Sequence, residues 1–400
     1  MTESKRPERT PQPGTPGVLP VTIAIAGAWG YIGRRILNAA ISLGVRPIVF
    51  DPGPLPKDVD PERITRIADQ ETFYRTPANL YHLALHPEHR QRALDILLER
   101  SQNPDRRDNG TSPAHKRILI LNEKPMAPPE DPVECARLIA RVNSSQAIML
   151  FNFPELFHPM TLAIGNYLRQ FRHVEIQSMT MQRSKDREAD RPRNYKRMVP
   201  IQHQETVHCL AFMLWLLGEA KQSLDGALAD GLRVVAQSQP YQPPNPHEYP
   251  YVVDGRCEYE LHWGATQIRG VSDFKKNATW SKRRTIRGVG DGKPFVIEAD
   301  YLEDRQYLSI NGETPVNTAG LDSYQAVIQT FWNWTTHHSR KELLSGPFPN
   351  PEFTRLTYQL SSLLWRSSYL GQPIQIADRC ALLAFDAEYA AAIRTFAKYE

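Results

Sequence analysis

Long apolar runs are missing from this chain: none approaches the roughly 20 residues that a bilayer-spanning helix needs, so no membrane partner is expected. Cysteine is scarce. Cys135, Cys209, Cys257 and Cys380 stand far apart with no CxxC pair, which argues against a disulfide framework and a zinc site and points to a reducing, cytoplasmic setting. The histidine pairs His203/His208 and His337/His338 bring no further ligands at metal spacing, and no metal is expected. Charge of one sign is also lacking. The net +4 is spread over 48 basic and 44 acidic residues without a basic patch, so nucleic acid is not an expected partner and the ligand should be small. The opening residues, MTESKRPERTPQPGTPG, carry no apolar signal core and read as a polar, proline-rich tail, disordered over 1–19. With 41% hydrophobic residues, 400 positions suffice for two domains with cores of their own.

What is present is one sharply patterned stretch, Val21 to Asp51, VTIAIAGAWGYIGRRILNAAISLGVRPIVFD. Val21 to Ala26 reads as a buried strand running straight into Gly27-Ala28-Trp29-Gly30-Tyr31-Ile32-Gly33. A helix follows from Tyr31 to Ser42 with Ile32, Ile36, Leu37 and Ala40 on one face, and Gly44 stops it before a second strand, Arg46 to Phe50. Such a β-α-β unit seats a pyrophosphate on the helix N-terminus only where glycines turn the chain and leave nothing between backbone N–H groups and phosphate. Asp51, at the end of the second strand, is placed to accept from ribose hydroxyls and to repel a 2′-phosphate, which favours NAD over NADP. The spacing is GxxGxxG rather than GxGxxG, so strand, helix and acid carry the reading. The competing readings are a turn of another α/β fold for the glycines and a loop cap for Asp51.

Beyond Asp51 the pattern predicts a short helical piece around Ile64 to Asp69, a strand from Leu80 to Leu85, a helix from Pro87 to Arg100 and an exposed polar insertion over 101–115. A strand from Arg117 to Leu121 leads into Asn122-Glu123-Lys124-Pro125, which sets Lys124 at the sheet edge where open α/β folds bind ligands. A helix from Asp131, its N-cap, to Val142 and a strand from Ala147 to Phe151 close a domain of 20–151. The second domain, 152–400, starts with a helix from Pro159 to Gln170 and a strand from Val174 to Gln182. A charged, solvated loop and an apolar helix, Val207 to Leu217, ended by Gly218, come next. Between Gly231 and Gly312 apolar and polar residues alternate between glycine turns, as in an antiparallel sheet with one covered face. Helices over Tyr324 to Ser339 and Pro351 to Gly371 end the pattern; Trp332, Trp334 and Trp365 are expected as helix-core aromatics.

GAWGYIG with Asp51, the Asn-Glu-Lys-Pro of 122–125, NFPELFHP from Asn152 to Pro159, and Val207-His208 followed by Trp215-Leu216-Leu217-Gly218 together resemble the glucose-fructose oxidoreductase / inositol dehydrogenase / MocA family. The resemblance covers nearly everything after residue 20. It implies an α/β fold, with an N-terminal Rossmann doubly wound parallel sheet and a C-terminal α/β domain whose large, open, mostly antiparallel sheet makes homodimer or homotetramer contacts. It further implies NAD(P)-dependent hydride transfer at a hydroxyl-bearing carbon of a sugar, polyol or related ring. The candidate cofactor contacts are then Gly27, Trp29, Gly30, Tyr31, Ile32, Gly33, Asp51, His86, Pro87 and Glu123.

In that family the lysine of Glu-Lys-Pro holds the reacting hydroxyl, and an Asp-x-x-x-His-x-x-Asp motif opens the buried helix, its histidine serving as base. Lys124 and His208 match. A base near the hydroxyl and a cation beside its oxygen are what alcohol oxidation requires. Gln204 and Ala211 stand where the motif has its acids, and Glu205 or His203 is the candidate substitute, although one residue along a helix turns a side chain by about 100°. Two further functions follow from these departures. One is a dinucleotide-binding regulator or scaffold without catalysis; the other is an NAD-dependent glycosidase with Tyr195 or Glu205 as a second acid/base.

Overall fold

The structure is a computed structural model and describes residues 21–102, 117–187, 199–221, 229, 231–241, 253–274, 281–384 and 391. The tail over 1–19, nearly all of the 101–115 insertion, and Tyr195 and Lys196 lie outside these residues. The first sheet contains β1 (Ile23–Ala26), β2 (Ile48–Phe50), β3 (Thr65–Arg66), β4 (Leu80–Leu83), β5 (Leu119–Glu123) and β6 (Ile148–Asn152). Its order is β3-β2-β1-β4-β5-β6, and every pair is parallel. Successive residues of its strands enter opposite cores. Ile23, Ile25, Leu121 and Leu150 join one apolar cluster, and Ala24, Ala26, Ile120 and Phe151 the other. That is why these strands are apolar throughout rather than alternating.

The helices α1 (Tyr31–Ser42), α2 (Gln70–Arg75), α3 (Gln91–Gln102) and α4 (Pro132–Asn143) follow their strands in turn. On α1, Ile36, Leu37 and Ala40 of the expected face are buried, Ala39 is buried beside them, and Ile32 is half-buried against the same cluster. Three local expectations change. Residues 61–66 form a 3-10 turn and the edge strand β3, and helix starts only at Gln70, where the Asp69 carboxylate caps Thr72 N at 2.7 Å. Asp131 occupies an N-cap position but makes no side-chain cap bond.

The third change concerns the second half of the chain, which holds α5 (Pro159–Leu168), β7 (Val174–Ser184) and α6 (Val207–Ala220). Gly218 does not end α6: it is buried inside the helix, where packing offsets glycine's cost of about 1 kcal/mol relative to alanine. The strands β8 (Leu232–Tyr241), β9 (Val253–Trp263), β10 (Thr266–Asp273), β11 (Ser281–Gly290), β12 (Lys293–Asp300) and β13 (Tyr307–Ile310) follow. The helices α7 (Ser323–His337), α8 (Arg340–Ser345) and α9 (Pro351–Leu370) precede β14 (Ile374–Ile376). The eight-stranded order is β13-β12-β11-β7-β10-β9-β8-β14. It is antiparallel except between β7 and β10, which run parallel, so the sheet is mixed. α6 packs on β7 and α9 on β8, covering one face. α7 returns to the first sheet and packs beside α1, burying Val327, Ile328, Phe331 and Trp334 in the same cluster as Ile36. Trp365 is buried in α9, and Trp332 is half-buried against the core.

Among the described residues no helix is long and apolar enough to cross a membrane, and no group of three His, Cys, Asp or Glu is placed to hold a metal ion.

Candidate active site

The turn after β1 separates its three glycines by function. Gly27 sits at φ +74°, and a Cβ there would lie 2.6 Å from the Ala84 carbonyl oxygen; a Cβ at Gly33 would lie 2.0 Å from the Gly27 carbonyl oxygen. The fold itself demands these two. At Gly30 an added Cβ would meet only the Gly27 carbonyl, at 3.3 Å, yet Gly30 lines a cavity of about 770 Å³. Gly30 also caps α1 without a side-chain bond, and no acid occupies the first turn. An open helix N-terminus with the space a Cβ would fill is the fit a dinucleotide diphosphate requires. Asp51 lines the same cavity, held by Trp29 N–H at 3.0 Å on one oxygen and Gly53 N–H at 2.9 Å on the other. The loop-cap reading of Asp51 is thus real. It uses two of about four acceptor sites of a carboxylate and leaves the group fixed beside the cavity.

The C-terminal edge of the first sheet supplies the opposite wall. Glu123 ends β5, accepts from Asn152 Nδ2 at 2.7 Å and lies 3.0 Å from His82 Nε2. Buried Arg90 pins this edge by donating to the Glu123 carbonyl at 2.6 Å and the Pro125 carbonyl at 2.7 Å. The next residue, Lys124, reaches across to donate from Nζ to the Gln204 carbonyl at 2.5 Å.

Residues Gln202–Thr206 form a π-helical turn directly before α6. Bonding i to i+5 adds a residue to the turn, and the register consequence is decisive. Glu205, not Gln204, carries a carboxylate into the site, while Gln204 contributes its backbone carbonyl to Lys124. Glu205 is 2% exposed and accepts from Arg183 Nε at 2.8 Å and Lys185 Nζ at 3.0 Å. Arg183 also pairs with buried Glu155, whose other oxygen takes Arg284 Nη2 at 2.7 Å. Neither expected substitute orients His208. Glu205 is engaged by cations, and the His203 ring packs on Tyr358 with centroids 5.1 Å apart.

Burial alone would raise the Glu205 carboxyl, but Lys185 and Arg183 hold it well below the usual carboxylate range. For His208, burial and the nearby Arg183 and Lys124 charges act together and keep the imidazole neutral. Its ring sits edge-on against Phe153 at 5.8 Å. Burial lowers Lys124 as well. Lys185, half-buried and 5.9 Å from the Tyr31 ring centre, is pushed down to about 7 by burial, with Arg187 and Lys124 adding to the effect.

The cavity therefore brings together Gly27, Gly30, Tyr31, Ile32, Asp51, His86, Pro87, Glu123, Lys124, Glu205 and His208. It does not include Gly33, which lies under the turn, or Trp29, whose indole donates to the Gly53 carbonyl at 3.3 Å. Sequence reasoning missed Arg183, Lys185, Glu155 and Lys282, which line the cavity. Lys185 falls within the stretch expected as a charged, solvated loop. The available signal was strand parity: Arg183 follows Met179 and Met181 at spacing two on the buried face of β7.

The chain thus joins a parallel sheet of order β3-β2-β1-β4-β5-β6, with a glycine turn at its C-terminal edge, to a large mixed sheet across a cavity lined by a lysine and a histidine, and that parallel order is the Rossmann one. Solved structures agree with this at the level of the fold. A myo-inositol dehydrogenase from Corynebacterium glutamicum superposes with a TM-score of 0.60 at 15% identity, covering 89% of this chain and 99% of that one. A UDP-N-acetylglucosamine 3-dehydrogenase from Acidithiobacillus ferrooxidans gives 0.61 at 13%, covering 88% and 99%. A super-repressor mutant of Gal80p from Saccharomyces cerevisiae gives 0.62 at 12%, covering 90% and 98%. No family model and no curated protein sequence matches the chain.

Proposed function

We propose that this chain is an NAD(H)-dependent oxidoreductase acting at a hydroxyl-bearing carbon of a sugar-like or polyol compound. The observation that carries the reading is the convergence of Lys124 and neutral His208 on the cavity that also holds Gly30 and Asp51. NAD, when bound, supplies the hydride acceptor; Gly27, Gly30, Asp51 and the His86-Pro87 loop are the residues that would hold it. Lys124 donates to the substrate oxygen in place of the Gln204 carbonyl and stabilises charge developing there. The hydroxyl proton passes to a ring nitrogen of His208, available because the imidazole is neutral. Glu205, locked between Arg183 and Lys185, positions those two side chains rather than carrying a proton.

The test is fluorescence titration with NAD(H) and NADP(H), followed by turnover on a sugar and polyol panel with Lys124→Ala. Tight NAD binding with turnover abolished in the variant is expected; turnover equal to wild type refutes the assignment of Lys124. A second reading is supported by His208 itself, which no carboxylate among the described residues orients: a dinucleotide-binding regulator of the same fold. NAD binding without turnover on any panel member would select it.

A further inference from the structure

Arg183 on β7 faces Lys282 on β11 in the sheet register, and directly opposite residues project from the same face. Lys185 lies two positions from Arg183 and Arg284 two from Lys282, so all four cations share that face. Like charges so placed repel unless something neutralises them. Two carboxylates come from outside the sheet: Glu155 takes Arg183 and Arg284, and Glu205 takes Arg183 and Lys185. Lys282 receives neither. Among the described residues no hydrogen bond or ion pair reaches its Nζ; Glu155, Glu303 and Glu205 attract it only through space, against burial and Arg183.

Among the described residues, this end of the cavity is lined by Lys124 on the facing wall and by Arg183, Lys185, Arg187 and Lys282, with Arg284 behind them on Glu155, against the carboxylates of Glu155 and Glu205. The remaining acids of the lining are elsewhere. Glu303 and Asp304 are exposed at the mouth, where Glu303 is paired with Arg35 at 2.9 Å, and Asp51 and Glu123 are engaged at the dinucleotide end. A half-buried lysine that opposes an arginine across a strand pair and faces a cavity is a cost to the empty protein. Glu155, Glu303 and Glu205 offset that cost from a distance, an anion from solution would offset it by direct contact, and a concave site walled by low-dielectric protein focuses that field on the ligand.

We propose that the substrate is anionic: a hydroxyl-bearing compound whose carboxylate or phosphate docks on Lys282, in the field of Lys185 and Lys124. The hydroxyl in this description rests on the oxidoreductase reading, whereas the anion subsite stands on the sheet geometry.

The experiment is calorimetric titration of the full chain, with and without NADH, using glucuronate, glucose 6-phosphate, inorganic phosphate and neutral glucose, in wild type and Lys282→Met. Charged sugars should bind about tenfold to a hundredfold more tightly than glucose, the contribution of one charge-assisted hydrogen bond, and Lys282→Met should erase that preference. Glucose 6-phosphate exceeding glucuronate identifies a phosphate ligand, and the reverse a carboxylate. Because methionine keeps the stem's packing and removes the repulsion from Arg183, the variant should melt no lower than wild type. Equal binding of glucose and both charged sugars overturns the proposal, as does a preference surviving in Lys282→Met, a lower melting temperature for that variant, or no anionic probe binding at millimolar concentration. Failure of NADH alone to bind would sink the oxidoreductase reading while leaving the anion result to be read from the NADH-free titrations.

Discussion

Replacing Glu205 by Gln removes the one carboxylate that holds both Arg183 and Lys185. Breaking a buried ion pair by deleting one partner costs about 3–5 kcal/mol, because the other charge is left unpaired. Two features place this case at the lower end. Arg183 keeps Glu155, and Lys185, already pushed down to about 7, sheds its proton once the carboxylate that raised its proton affinity is gone. An unfolding entropy of about 2.1 cal/mol/K per residue gives roughly 0.84 kcal/mol/K for this length, so about 3 kcal/mol lowers the melting temperature by roughly 4 °C if the chain melts as one unit. The pH dependence has a definite sign. The Glu205 carboxyl is depressed in the folded state, so its contribution is complete above the ordinary glutamate range and is lost as pH falls through the folded value. Scanning calorimetry from neutral to acidic pH should therefore show the Glu205→Gln deficit shrinking on acidification. A variant melting within a degree of wild type at neutral pH, or a deficit that grows with acid, would refute the placement of Glu205 between the two cations.

Three further outcomes follow from single observations. Gly30→Ala, whose Cβ would press on the Gly27 carbonyl at 3.3 Å, should be destabilised only slightly yet lose NAD affinity at least tenfold, whereas Gly33→Ala, with its Cβ 2.0 Å from that carbonyl, should be visibly destabilised; equal melting temperatures for the two variants would reject the division of roles. Lys185, with a pKa of about 7, should acylate faster than surface lysines in mass-spectrometric labelling, with a rate that rises through neutral pH and falls when a ligand fills the cavity. Asp51→Ala should weaken NAD about tenfold and narrow the gap to NADP, measured by titration; an unchanged ratio would leave Asp51 only its bonds to Trp29 and Gly53.

The β-α-β unit was legible because each of its determinants is local: a small-residue strand, a turn closed by Gly27 and Gly33, and one apolar helix face. Strand ends shifted by one or two residues. β3 escaped notice since both its residues are exposed and no apolar pattern marks them. α8 escaped although Ser339-x-x-Glu342, its capping box, was in plain view. The candidate site was half legible. Lys124 and His208 sit in recognisable words, but the register of Glu205 depends on a π turn that α-helical periodicity cannot foresee. The cationic face depends on a further non-local effect: the pairing of Lys282 with Arg183 joins residues 99 positions apart in sequence.

That no described carboxylate orients His208 and that no described residue pairs with the Lys282 ammonium belong to one electrostatic problem. Burial comes first in depressing His208, and Arg183, Lys124 and Lys185 follow, with Glu205 opposing them. An imidazole in that field accepts a substrate proton reluctantly. A ligand carboxylate or phosphate on Lys282 adds negative charge to the same low-dielectric volume, cancels part of the cationic field and raises the proton affinity of His208, the direction an orienting aspartate would have supplied. The same anion raises Lys185 and Lys124 towards their ordinary values, since burial and neighbouring cations are what lowered them. Anion binding should then be accompanied by net proton uptake. Calorimetric titration of phosphate at neutral pH in buffers of different ionisation enthalpy measures it directly, and uptake should diminish in Lys185→Met. Binding without proton uptake would mean that the anion sits outside this field, and His208 would have to work as it stands.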